Sequence, residues 1–222
     1  MILQDAVQHF GSHPSLELFT SDLLLMISDR SSHASVVQWS IFNEGDCVKA
    51  FMADDPRTPA DLVDLVRRAD PSRLVDVNSG GPANGHNLGD VNDVHDYGGY
   101  LGSNPHPRDP KPNATQYAMV GEFGGLGAFV TEWQAGKCRS NSPAGQYGHG
   151  NSTPAEQAAG YVAMTKLLAA NRRDISASVY TQIADVETEC DGMLTYDRRS
   201  KFGAADTRRI REANAALILG AR

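Results

Sequence analysis

Residues 35–42, Ser-Val-Val-Gln-Trp-Ser-Ile-Phe, are mostly apolar without strict alternation, and they break off abruptly into Asn43-Glu44-Gly45-Asp46. A half-exposed antiparallel strand would alternate. A run of this kind fits a strand covered on both faces, as in a parallel sheet. Parallel neighbours need a crossover, which a helix usually supplies, and the rest of the chain provides the parts. Residues 74–77, 90–97, 117–123 and 175–183 are short runs rich in β-branched or aromatic residues and read as further strands. Between them lie helical patterns. Residues 16–29 carry apolar positions at Leu16, Phe19, Leu23, Met26 and Ile27, and residues 206–219 close the chain. Two more helices announce themselves by one repeated cap, Thr58-Pro59-Ala60-Asp61 and Thr153-Pro154-Ala155-Glu156: a capping hydroxyl, proline where its missing N–H costs nothing, then an acid. Behind the first, Leu62, Val63, Leu65 and Val66 form a stripe; behind the second, Ala158, Tyr161, Val162, Leu167 and Leu168 broadly do so. Strand and helix therefore alternate, and the order predicts an α/β fold. The long Gly/Pro/Asn-rich stretches 98–115 and 124–152 follow strands, where functional loops belong.

Composition sets the remaining bounds. With 41% hydrophobic residues in 222, the chain can bury one sizeable core, so one domain over residues 1–222 is expected. A net charge of −7 with no Lys/Arg cluster argues against nucleic acid and anionic membranes as partners. The best uninterrupted apolar run, residues 23–27, is far short of a membrane helix, and residues 1–10 show no secretory-peptide pattern. Cys47, Cys138 and Cys190 are odd in number and widely spaced, and read as free thiols. The acceptor triplets at Asn113 and Asn151 leave the compartment open.

Chemistry concentrates at strand ends. Glu44 follows the first buried run, and Glu122 ends the run Tyr117-Ala-Met-Val-Gly-Glu-Phe-Gly-Gly, among glycines that keep its surroundings open. In α/β barrels, polar groups at the carboxyl ends of strands build the active site. Two glutamates in such positions suit glycoside hydrolysis, in which one carboxyl holds a proton and the other stays ionised. Taken singly, each is equally well a loop cap or an arginine partner. Asp90, Asp93, His95 and Asp96 form a cluster on a strand whose alternate residues face opposite ways, so their ligand atoms would diverge; no metal and no cofactor is expected. Trp133 is either a sugar-stacking platform or a loop anchor. No GxSxG elbow, HExxH or P-loop occurs.

These residues resemble glycoside hydrolase family 2, which includes β-galactosidases, β-mannosidases and β-glucuronidases. His-Ala-Ser-Val-Val-Gln-Trp-Ser-Ile-Phe-Asn-Glu-Gly-Asp, residues 33–46, looks like its strand-four signature. Residues 70–81 resemble the fifth strand and its entry turn, 93–100 the sixth, 120–127 the seventh, and 178–199 the eighth strand and loop of a β-galactosidase-like branch. The resemblance implies an incomplete (β/α)8 TIM barrel spanning approximately strands 3 to 8, with residues 1–8 the remnant of the third. It implies Glu44 as acid/base and Glu122 as nucleophile of a retaining mechanism, their carboxyl groups about 5 Å apart. Asn43 would bond the sugar 2-hydroxyl, while His95, Tyr97, Tyr180 and Gln182 would line the pocket. The implied partner is a β-linked carbohydrate. An open six-stranded parallel sheet would leave unpaired edges, which invites self-association or completion by a missing segment. A non-catalytic sugar-binding or interaction remnant of the same family is the alternative.

Overall fold

The computed structural model describes residues 1–7, 15–44, 46–80, 88–97, 110–128, 130, 153–187 and 189–220. Along the chain it runs β1 (Ile2–Asp5), α1 (Leu16–Arg30), β2 (Val36–Asn43), α2 (Asp46–Asp54), α3 (Thr58–Ala69), β3 (Leu74–Ser79), β4 (Val91–Asp96), β5 (Tyr117–Gly124), α4 (Pro154–Ala170), β6 (Ile175–Thr181) and α5 (Ala204–Leu219). The expected strands and helices are present, and residues 1–8 contribute β1. The strands form two three-stranded sheets, ordered β1-β2-β3 and β4-β5-β6, rather than the single open sheet expected. The reason is visible between β3 and β4: the Val75 N–H donates to the Asp90 carboxylate at 2.8 Å and the Asp90 N–H donates to the Val75 carbonyl at 2.7 Å. A side chain there takes a donor that a continuing ladder would use.

Contacts group the chain into two units, residues 1–95 with 110–119, and residues 96–109 with 120–222. In the first unit, β2 lies between β1 and β3 and pairs parallel with both, with Trp39 opposite Gln4 and Val75, and Ser40 opposite Asp76. Burial of Trp39 and Ile41 on one face and of Gln38, Ser40 and Phe42 on the other shows that β2 is covered on both faces. Phe19 of α1 stacks on Phe42 at 5.2 Å between ring centroids and tilts against Phe51 at 5.3 Å. Leu62, Val63 and Val66 of α3 complete that core. The Asp70-Pro-Ser-Arg73 turn is a clamp: Asp70 accepts from the Trp39 indole at 3.0 Å and from Arg73 at 2.6 Å, while Arg73 also reaches the carbonyls of Val36 and Ser31. Burial alone would raise the Asp70 pKa, but the Ser72 hydroxyl, the Arg73 guanidinium, the Ser72 N–H and the Trp39 indole outweigh it and hold the carboxyl at about 2.

The helix-start recipe works at one of its two sites. Thr153 caps α4 with a complete capping box, its hydroxyl accepting from the Glu156 N–H and Glu156 reaching back to the Thr153 N–H. Thr58 does not cap α3; the N-cap is Arg57, with no side-chain bond. Asp55 is the cause. Its carboxylate accepts from the Arg57 N–H at 2.9 Å and its carbonyl from the Thr58 N–H at 3.0 Å, so the entry turn closes one residue early and Thr58 is drawn into the helix and buried.

In the second unit, Tyr180 packs edge-on against Tyr161 and Phe123, at 5.0 and 5.5 Å. Buried Gln157 of α4 donates to the carbonyls of Leu126, Asp191 and Gly192, and Tyr161 donates to Asn214 of α5 at 2.7 Å. Lys201, its side chain fully buried, donates to Asp185 at 2.7 Å and to the carbonyls of Ala128 and Cys190 at 3.0 Å. Cys190 is disulfide-bonded, which corrects the expectation of three free thiols. Odd count and wide spacing exclude a disulfide framework but not one bridge that the fold brings together.

Candidate active-site residues

In the first unit the end of β2 sets the geometry. Asn43 is the last strand residue; its amide oxygen is buried and meets no hydrogen-bond donor among the described residues. Glu44 follows at φ +54°, a left-handed turn that the Glu44 N–H stabilises by donating to the Ser79 carbonyl at 2.9 Å. This turn takes Glu44 out of the strand and leaves its side chain half exposed, with Oε1 at 2.9 Å from His95 Nδ1. His95, next to last in β4, is buried. The hydrogen bond from His95 lowers the Glu44 pKa below the ordinary glutamate range; burial opposes the shift and the histidine charge adds to it.

The ring is held from the other side as well. His95 Nε2 lies 2.9 Å from Ser79 Oγ, and the Ser79 hydroxyl donates to Asp93 Oδ2 at 2.9 Å. Gly80 supplies the room. It adopts φ +71°, and a Cβ built there would lie 2.2 Å from His95 Cγ. Asp93 and His95 are two residues apart on β4, as Asp76 and Asn78 are on β3, so the strand period turns each pair to one side. Asp90, by contrast, serves Arg67 at 2.7 Å and the Val75 N–H, apart from Asp93 and His95.

In the second unit Glu122 lies on β5 and accepts a hydrogen bond from the Tyr97 hydroxyl. Thr181 Oγ1, at the end of β6, is 3.4 Å from the same hydroxyl. Gly124, at φ +106°, lets the Tyr180 ring lie against β5: a Cβ at that position would stand 2.2 Å from Tyr180 Cε2. The Tyr180 hydroxyl donates to the Asp191 carbonyl at 3.2 Å, and burial holds the phenol above its ordinary pKa. Gln182 donates through its amide nitrogen to Asp191 at 2.7 Å and Glu189 at 3.1 Å. Trp133 lies outside the described residues.

Of the residues expected from the sequence, the fold joins Glu44 to His95 and Glu122 to Tyr97, and joins Gln182 to the loop after β6. Sequence reasoning missed Ser79 and Asp76 altogether and took Asp93 for a diverging ligand. The available signal was polarity at alternate positions, 76 and 78, then 93 and 95, in strands otherwise built of valine.

No protein-family model matches the chain, and no curated protein matches it. Solved structures do. A β-glucuronidase from Ruminococcus gnavus in complex with D-glucuronic acid aligns over 89% of this chain and 36% of its own, at 17% identity and a TM-score of 0.58. A β-glucuronidase of an uncultured Clostridium sp. aligns over 89% and 35%, at 13% identity and a TM-score of 0.58. An FMN-binding β-glucuronidase from Faecalibacterium prausnitzii L2-6 aligns over 83% and 30%, at 21% identity and a TM-score of 0.56. The chain thus spans about a third of the length of the enzymes it resembles, and at these identities the likeness is one of fold. That fold is α/β, with two small parallel sheets, and is shared with part of the β-glucuronidase chain.

Proposed function

We propose that this chain carries the catalytic residues of a retaining β-glycosidase, with Glu44 as acid/base and Glu122 as nucleophile. The supporting observation is that each unit gives one strand-end glutamate a dedicated partner, His95 on Glu44 and Tyr97 on Glu122. The shared fold with β-glucuronidases agrees with it. In the first step Glu122 attacks the anomeric carbon while Glu44 delivers a proton to the glycosidic oxygen. The C–O bond breaks, its electron pair stays on that oxygen, and the alcohol leaves. In the second step Glu44 takes a proton from water, whose oxygen displaces Glu122. The Tyr97 hydroxyl, by donating to Glu122, favours its ionised form. Asn43, whose buried amide oxygen meets no donor among the described residues, offers that acceptor to a sugar hydroxyl and its N–H2 as donor, a bond that strengthens as the ring flattens.

Trp133 is assigned to stacking on a second sugar, and Gln182, with Tyr180 behind it, to the wall of the pocket. The eighth-strand segment 178–199 leans toward galactosides. The test is hydrolysis of a panel of aryl β-D-glycosides, including galactoside, glucuronide and mannoside, by the chain and by Glu122→Ala. Turnover of one glycoside that disappears in the variant is expected. Equal background turnover by both proteins overturns the proposal and leaves a non-catalytic sugar-binding module.

A further inference from the structure

Behind Glu44 the hydrogen bonds continue without a break into the first unit: Glu44 Oε1 to His95 Nδ1 at 2.9 Å, His95 Nε2 to Ser79 Oγ at 2.9 Å, and Ser79 Oγ to Asp93 Oδ2 at 2.9 Å. Ser79, Asp93 and His95 are buried, so solvent does not compete for the bonds among them. From this geometry we infer that Ser79 and Asp93 are positioning residues that fix which nitrogen of His95 carries hydrogen, and thereby hold one mobile proton between His95 and Glu44.

The direction follows from proton accounting. The single Ser79 proton points at Asp93 Oδ2. Ser79 then has only lone pairs for His95, so Nε2 must bear hydrogen. That leaves Nδ1 facing Glu44 Oε1. Two lone pairs cannot share a 2.9 Å contact, so this bond always contains one proton, carried as Glu44 carboxylic acid beside neutral His95 or as Glu44 carboxylate beside the imidazolium. Without the Ser79–Asp93 brace the ring is free to take hydrogen on Nδ1 alone and present Nε2 as an acceptor, and Glu44 then faces a fixed donor in place of a proton reservoir. The assignment of Glu44 as acid/base rests on the proposed function; the tautomer does not.

The test has two readouts that fail separately. Long-range 1H–15N spectra of the uniformly labelled chain report the tautomer of each histidine, with His95 assigned by its loss in His95→Gln. Neutral His95 is expected entirely in the Nε2–H form; Ser79→Ala and Asp93→Asn are expected to move both ring nitrogens, and Ser79→Thr, which keeps the hydroxyl, to restore them. Neutral His95 with hydrogen on Nδ1, or ring nitrogens unmoved in both variants, overturns the inference whatever the chain hydrolyses. In the glycosidase assay, Asp93→Asn is expected to lower kcat/KM by about 10- to 100-fold for a phenyl glycoside, whose leaving group needs a proton, and little for a dinitrophenyl glycoside, which does not. Equal losses on both substrates would make Asp93 merely structural. If the unmodified chain hydrolyses neither, the glycosidase reading fails while the spectra still decide the tautomer.

Discussion

Gly80 shows how a single residue governs the candidate acid. Its left-handed backbone is one that side chains rarely adopt, and its missing Cβ is the space His95 occupies. Gly80→Ala is expected to cost about 1–3 kcal/mol in denaturant unfolding and to shift the His95 ring signals. Unchanged His95 signals would show that the ring does not depend on that space. Asp70 makes the opposite case, a residue whose importance lies away from any candidate site. With its carboxyl removed, the Trp39 indole and the partly buried Arg73 guanidinium lose their shared acceptor, so Asp70→Leu is expected to destabilise the chain by about 3–5 kcal/mol. Glu44 and Glu122 stand out as candidates in the sequence because an acid at or near the end of an apolar strand is conspicuous. Ser79 was not, because a serine ending a valine-rich strand reads as a turn until the fold brings His95 beside it.

At the scale of elements, legibility followed the locality of the cause. Thr153 caps α4 through bonds spanning three residues, so the sequence alone sufficed, and Thr153→Ala is expected to cost about 1 kcal/mol in thermal or chemical unfolding. Thr58 carries the same local code, yet Asp55, outside that code, closes the turn first. Helix α2 was missed although Val48, Phe51 and Met52 stand at helical spacing, since nine residues directly after a strand gave no separate start signal. The division into two sheets depends on the Asp90 side chain meeting Val75, fifteen positions away, which no strand pattern encodes. The buried Lys201 is a further non-local feature: it joins Asp185 to the carbonyls of Ala128 and Cys190. Lys201→Met strands the Asp185 charge and is expected to cost about 3–5 kcal/mol, with much of the loss recovered in Lys201→Met/Asp185→Leu. A double variant no more stable than the single one would mean that the carbonyl bonds dominate.

For the molecule as a whole, opposed carboxyl groups set the dependence of stability on pH. Asp70, held at about 2, ionises more readily folded than unfolded, so its contribution is complete above about pH 4 and is lost as the pH falls through about 2. Asp191 acts in the other direction. Burial, against the Gln182 hydrogen bond and with the Glu189 and Asp185 charges, raises it to about 6, so the folded chain holds a proton that the unfolded chain has released. Stability falls as the pH rises from about 4 to about 6, and the full cost persists above that. Asp76, raised by burial and by Asp93, adds a loss of the same sign. The folded chain is therefore expected to be most stable in mild acid, near pH 4 to 5, and weaker at neutrality. Asp191→Asn isolates one part of this slope: the amide oxygen still accepts from Gln182, but no charge is buried. Denaturant unfolding should show the variant more stable than the parent by up to about 3 kcal/mol at about pH 8 and nearly equal to it at about pH 4.5. A gain independent of pH would mean that packing, and not the buried charge, limits stability at that position.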